Sequence, residues 1–399
     1  MIKPQASTSA MRGYIEGYYG RLFDWQDRSS MLAEMAALCM DVYLYAPKED
    51  PYHRFDWRTP YPSDWQRDFS AFAAQAQGHN ITLAAGIAPG LDYSWHDPQA
   101  DITALNAKAD SLVASGAKCI VLMLDDIPET PDMFAGGAAE EGRAHGRLAH
   151  DLARHIAPHG ASVMFVPRLY ADEMADLSAF DTGQPLSKAA CRFTDEYARG
   201  LTEALPDDMP VLICGEHIVA RNVNLDDQLG RFASQLRQPL IIWDNLYCHD
   251  YCPRRLFVGA YEGRRLSDPI LLNGTGLLHT DSLLLKIMSG ADNPASWKQI
   301  IAAAGIPDAF FRLAHFFDKP AFSNALAQST HPVTTDDIAG IDQLLWQWKS
   351  PLQREWYPYL FGLKHDIMIA QQMMKPLRIA KTQTPPMAAL LQQIKDYHD

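Results

Sequence analysis

The sequence predicts a (β/α)8 barrel followed by an all-α region. Eight short apolar or β-branched runs, most of them separated by helical patterns, fill the first 290 residues. Polar residues stand at the C-terminal end of nearly every run. Beyond Gly290 the strand pattern stops. Eight such units match the usual size of this barrel, roughly 250 residues. A doubly wound sheet gives a similar string, but the count of eight and the polar strand ends favour the barrel. The expected organisation is therefore a disordered segment 1–11, a barrel 12–290 and a helical domain 291–399.

The elements follow in order. Residues 13–16 and 42–45 read as the first two strands, around a helix carrying Met31, Leu32, Met35, Leu38 and Cys39 at helical spacing. A helix over 65–77 precedes a buried strand over 81–87. A helix over 103–115 precedes Cys119 to Leu124 (CIVLML), wholly apolar, as a parallel strand covered on both faces must be. Helices at 140–156, 193–204 and 225–236 alternate with strands at 162–166, 211–214 and 240–243, and 269–272 is the eighth strand. In the tail, Asn293-Pro294 makes a good N-terminus for a helix through Ala304. Ile338, Ile341, Leu344, Leu345 and Trp348 form an apolar stripe. Leu352 to Met374 reads as a helix interrupted near Pro358, and a short helix follows Pro385-Pro386.

Composition narrows the function. Of 399 residues, 47% are apolar and 21% charged, which suits a globular chain. A net charge of −13 disfavours nucleic acid and anionic membrane surfaces as partners. The greasiest stretch, Ile270 to Met288, is broken by Asn273, Gly274, Gly276, His279 and Asp281, so no span of a membrane is expected. The N-terminus (MIKPQASTSAMRG) lacks a secretory apolar run, and six cysteines are too few for a disulfide scaffold. A cytoplasmic protein with reduced thiols is expected. Cys248-His249-x-x-Cys252 is one short cluster without a second ligand pair, so packed thiols are the better reading than zinc. No metal or organic cofactor is expected.

Barrel enzymes hold their chemistry at the C-terminal ends of strands. There stand Glu16 to Gly20, Ala46 to Arg54, Pro89 to Asp92, Asp125-Asp126, Pro167 to Tyr170, Gly215 to His217, Asp244-Asn245 with His249-Asp250, and Asn273. Carboxylates, amides and aromatics suit a neutral, hydroxyl-rich ligand, a sugar. Asp125-Asp126 is central. Adjacent carboxylates that cannot both ionise cheaply separate into an acid and a base. Most glycosidases place their two carboxylates several ångströms apart. Adjacent ones fit the substrate-assisted exception, in which the sugar's 2-acetamido oxygen is the nucleophile.

The segments GYIEGYYG (13–20), YLYAPKEDPYHR (43–54), IAPGLD (87–92), LDDI (124–127), IIWDN (241–245) with HDY (249–251), RLFVGAYEGR (255–264) and LLN (271–273) resemble, in this order, glycoside hydrolase family 84. That family comprises β-N-acetylglucosaminidases of the protein O-GlcNAcase type on a (β/α)8 barrel. The resemblance implies that Asp125 polarises the acetamide and that Asp126 is the general acid/base. It implies that Tyr170 hydrogen-bonds the acetamide oxygen, and that Gly17 and Lys48 hold a ring hydroxyl. Asn245, Asp250 and Asn273 match contacts to the sugar, and Trp243 a wall of the acetamido pocket. Taken singly, Lys48 reads as a solvated cation, Asn245 as a turn former, Asp250 as a helix cap, Gly17 as a positive-φ position and Trp243 as core. The shared order gives them their roles.

His53, Arg54, Asp92 and His145 read as architectural, and Glu216 and His217 as contacts to an aglycone. Val166 stands where members often carry a cysteine, which keeps the pocket apolar. Neither the N-terminal accessory domain of some bacterial members nor the acetyltransferase-like domain of the long animal forms is expected. The implied partner is a GlcNAc-bearing glycoprotein or glycoconjugate. In the family, helices like those of the tail lie beside the cleft or pair two subunits, which implies a homodimer through residues 291–399.

Overall fold

The computed structural model describes residues 10–127, 134–177, 184–248, 256–293, 295–317 and 334–370. Eight parallel strands close into a barrel. They are β1 (Arg12–Glu16), β2 (Val42–Tyr45), β3 (Thr82–Ile87), β4 (Cys119–Met123), β5 (Ser162–Val166), β6 (Val211–Ile213), β7 (Leu240–Asp244) and β8 (Ile270–Asn273). Closure runs through β1, where Gly13 is paired with Val42 on one side and Leu271 on the other. The predicted (β/α)8 barrel is thus the observed fold, with strand bounds within a residue or so of those expected.

Between their ends the strands are apolar because they are buried on both faces, and their polar residues stand at the ends. Ile15, Val42, Leu44, Val121, Met123, Val166 and Leu271 pack inside the barrel. Their neighbours Tyr14, Tyr43, Ile120, Leu122, Phe165 and Leu272 pack outward under the helices. Buried ion pairs brace the strand ends. Arg28 grips Glu16 with two hydrogen bonds of 2.9 Å, and Arg264 grips Asp244 at 2.7 and 2.9 Å.

Two helical expectations change. The predicted helix 225–236 contracts to Gly230–Ala233. Asn224 accepts from the amides of Asp226 and Asp227, which favours a turn there, and Asp172 accepts from the amides of Arg231 and Phe232. The interruption near Pro358 does not occur: one helix runs Pro351–Ala370 with Pro358 inside it. Trp356, Tyr359 and Leu360 are buried around the proline, and that packing offsets the lost backbone hydrogen bond. Residues 278–289 form a helix after β8 that periodicity left unassigned, because Leu283, Leu284, Leu285, Ile287 and Met288 are all buried. The segment after Pro386 lies outside the described residues.

The tail helices share the barrel's apolar core. Glu355 accepts from the amides of His279 and Thr280 at 2.9 and 2.8 Å, closing the start of helix 278–289 from outside. Arg21, after β1, bonds the Tyr359 hydroxyl at 2.6 Å. Among the described residues no helix is long and apolar enough to cross a membrane.

Helices Gly137–Ile156 and Lys188–Ala204 approach at backbone distance. A Cβ on Gly200 would stand 1.9 Å from the Ala139 carbonyl oxygen, and one on Gly142 would stand 2.3 Å from that of Tyr197. On an exposed helix Gly→Ala stabilises by about 1 kcal/mol. Here Gly200→Ala is expected to destabilise by about 1–3 kcal/mol through overpacking. Thermal melting checks it, and a raised midpoint contradicts the close approach.

Among the described residues two histidines, His53 and His145, are buried. Burial, then the charge of Lys48, pushes His53 down to about 3, and burial, then Arg168, does the same to His145. The unfolded chain takes up a proton near pH 6.5 that the fold refuses. Their contribution is therefore full above about pH 6.5 and is lost as the pH falls, on the order of 2 kcal/mol per histidine by pH 5. Urea titrations at pH 7 and pH 5 are expected to show the stability gap between wild type and His145→Gln narrowing by that amount. A gap independent of pH contradicts a neutral buried His145.

Candidate active site

The strand ends gather the candidate residues at one mouth of the barrel. After β4, Leu124 extends the pairing through its amide to the Val166 carbonyl, 2.9 Å. The chain then turns sharply. Asp126 has φ +53°, a left-handed conformation that aspartate tolerates better than most residues. Arg54 bonds the Asp126 carbonyl oxygen at 2.8 Å and holds that turn. The two adjacent carboxylates consequently find separate partners.

Asp125 pairs with Lys48 through Oδ2. Both are buried, at 7% and 2% exposure, so Lys48 is not a solvated loop cation. The Asp125 Oδ1 atom is buried and has no hydrogen-bond partner among the described residues. Such an atom is costly unless a ligand or water completes it. Asp126 instead accepts two phenol hydroxyls, Oδ1 from Tyr170 and Oδ2 from Tyr19, each at 2.8 Å. Burial, then the Asp126 charge, pushes the Tyr170 hydroxyl well above its ordinary range, and the same causes raise Tyr19. Both phenols therefore stay protonated and donate.

A second group is built on β7 and β8. The Asn245 side-chain oxygen accepts from Trp243 Nε1 and from Asn273 Nδ2, both at 2.9 Å. Its amide nitrogen donates to the Ile218 carbonyl at 2.9 Å and to Cys214 Sγ at 3.5 Å. Asn245 is therefore the hub that fixes Trp243 and Asn273, and its carbonyl also opens a turn by accepting the Cys248 amide at 3.0 Å. Asn273 donates also to Cys248 Sγ at 3.6 Å, while its Oδ1 is buried with no partner among the described residues. Gly17 has no positive φ. Its reason is close approach: a Cβ there would meet the Trp243 ring at 2.8 Å. Val166 lies in the same apolar cluster as Trp243 and Tyr170.

The structure thus brings Asp125, Asp126, Lys48 and Tyr170 together, and Gly17, Trp243, Asn245 and Asn273 together. Asp250 lies outside the described residues, as do His249 and Cys252. Among the described residues no three His, Cys, Asp or Glu side chains group as a metal site requires. His53 serves the frame, its Nδ1 on the Gly86 carbonyl at 2.9 Å, and His145 bonds the Tyr197 hydroxyl. Asp92 holds Trp57 and Arg58. Glu216 is exposed, and His217 sits on Glu173 at 3.3 Å. Sequence reasoning missed Tyr19. Its only signal was its place in GYIEGYYG, two residues past Gly17 at a strand end. Tyr170 and Lys48, expected on the sugar, here donate to the two carboxylates.

The sequence profile described as beta-N-acetylglucosaminidase matches residues 12–270, most of the chain. The protein O-GlcNAcases of Rattus norvegicus and Mus musculus are each 24% identical over 257 residues, 63% of this chain and 26% of theirs. The chain therefore spans about a quarter of the length of those relatives. Among solved structures, a mutant of the Thermobaculum terrenum O-GlcNAc hydrolase superposes with a TM-score of 0.71 at 20% identity, over 90% of this chain and 82% of that one. CpGH84B follows at 0.63 and 21%, over 85% and 58%. Both share the fold. With the profile spanning β1 to the start of β8, the chain belongs to the beta-N-acetylglucosaminidase family of glycoside hydrolases, family 84.

Proposed function

We propose that the protein is a retaining exo-β-N-acetylglucosaminidase that works by substrate assistance. It removes terminal β-linked GlcNAc from serine or threonine of proteins, or from a related glycoconjugate. The observation that carries this reading is the split pair: two adjacent carboxylates with wholly different partners, one of them with a buried, unpartnered oxygen. The family match and the ordered motifs support it.

Each group then has one task. Asp125 accepts the acetamide N–H and steadies the positive charge that develops on it. The acetamide carbonyl oxygen forms a bond to C1. The C1–O bond to the aglycone breaks, and the departing oxygen keeps the electron pair and takes a proton from Asp126. The product is an oxazolinium ion, whose N–H the Asp125 carboxylate holds. Asp126, now a carboxylate, takes a proton from water as that water attacks C1 and reopens the ring with overall retention. Tyr170 donates to the acetamide oxygen and Lys48 to a ring hydroxyl. Trp243, held by Asn245 and backed by Gly17, walls the acetamido group. Asn273 and Asp250 bear on the sugar's hydroxyls, with the free Asn273 oxygen as acceptor, and Asn245 acts on the sugar by holding Asn273 and Trp243 in place.

Asp125→Asn and Asp126→Asn are each expected to lower kcat/KM on an alkyl β-N-acetylglucosaminide by about 10²–10⁴-fold. Near-wild-type rates in both would remove the assignment. A second measurement probes the nucleophile. Successive fluorination of the N-acyl methyl drains the carbonyl oxygen, so log kcat is expected to fall steeply with each fluorine. A flat response points to an enzymic nucleophile instead.

A further inference from the structure

Asp126 carries two tyrosine hydroxyls in the free protein, and only one of those tyrosines has a part in the function proposed above. Tyr170 is buried at 8% exposure, on the floor after β5, whereas Tyr19 stands at the mouth after β1 with 38% exposure. Each donates at 2.8 Å, to different oxygens of one carboxylate. A phenol has one proton and can donate it to one acceptor at a time. If Tyr170 donates to an acetamide oxygen, it no longer donates to Asp126.

We propose that Tyr19 is a positioning residue for Asp126, and that an incoming acetamide exchanges partners at that carboxylate by drawing Tyr170 away while Tyr19 stays. The inference rests on the substrate-assisted reading and adds a coupling to it. Hydrogen bonds to a carboxylate favour its charged form. A general acid must hold a proton when the leaving oxygen departs. In the free protein two donors oppose that proton, and with the acetamide docked only one does. Substrate binding itself therefore loads the acid. Tyr19, still on Oδ2, keeps the carboxyl turned so that Oδ1 is the atom released.

Of the other described groups that bear on Asp126, Arg54 and Cys214 have no part in holding the acetamide, whereas Asp125 receives its N–H while paired with Lys48. Arg54, after β2, bonds the Asp126 carbonyl oxygen and lies 6.0 Å from the Tyr19 ring. Lys48, also after β2, neutralises Asp125 beside it. The Cys214 thiol, after β6, is raised chiefly by burial, so it stays uncharged there.

The test is a pair of pH profiles on methyl β-N-acetylglucosaminide, whose leaving alkoxide needs the proton. The basic limb of kcat/KM reports Asp126 in the free enzyme, and that of kcat reports it in the complex. In the wild type the kcat limb is expected at higher pH than the kcat/KM limb, because one of the two donors has left the carboxylate. Tyr170→Phe should raise the kcat/KM limb and close the gap, whatever it does to the absolute rate. Tyr19→Phe should raise both limbs together, keep the gap and lower kcat about tenfold with little change in KM. Coincident limbs in the wild type, or a gap that survives Tyr170→Phe, overturn the exchange. Limbs unmoved by Tyr19→Phe overturn its role. Failure of the wild type to cleave any β-N-acetylglucosaminide would instead remove the function on which the exchange rests.

Discussion

The turn at Asp126 is the constraint on which the site depends. A continuing extended chain would throw Asp125 and Asp126 to opposite faces of a strand, one into the barrel and one into the helical shell. The left-handed residue ends the strand instead, and Arg54 on its carbonyl holds the bend. Both carboxylates then remain at the barrel mouth with separate surroundings. One meets an ammonium group and the other two phenols. That difference in environment, not in residue type, lets identical side chains take different tasks.

Most of the remaining structure serves that placement. Burying Lys48 against Asp125 costs desolvation of two charges, and a pair of this kind is weak evidence for stability. Its sense is preorganisation: the charges stand in place before any ligand arrives. The pairs Glu16–Arg28 and Asp244–Arg264 do similar work one layer below, fixing the ends of β1 and β7 from which Gly17 and Asn245 project. Asn245 shows the economy of the arrangement. One amide holds a tryptophan, a second asparagine and a loop carbonyl, and leaves the Asn273 oxygen as the unsatisfied acceptor. The tail is latched to the same mouth through Arg21 and Glu355.

Much of this was legible in the chain. A strand covered on both faces is apolar along most of its length, so CIVLML announced β4, and eight such runs announced the barrel. Polar residues immediately after those runs had to lie at the mouth, which located Asp125, Asp126, Lys48, Tyr170, Asn245 and Asn273 together. Helix limits were harder where side chains bond backbone. Asn224 and Asp172 shorten the helix expected at 225–236, and nothing in an apolar period reports such bonds. Pro358 misled for the opposite reason, because burial of Trp356 and Leu360 outweighs a local helix breaker.

The sequence by itself determined the fold, the mouth of the barrel and the family, since all three follow from order along the chain: alternation of strands and helices, polar residues at strand ends, and motifs in a fixed succession. The partners of each group were decided only in three dimensions. Tyr19 and Tyr170 are 151 positions apart and share one carboxylate, and Lys48 reaches Asp125 across 77. Gly17 looked like a conformational glycine and is a gap for an indole. Hydrogen bonds and close contacts depend on distances between strands, and local pattern fixes which face a residue occupies but not what it meets there.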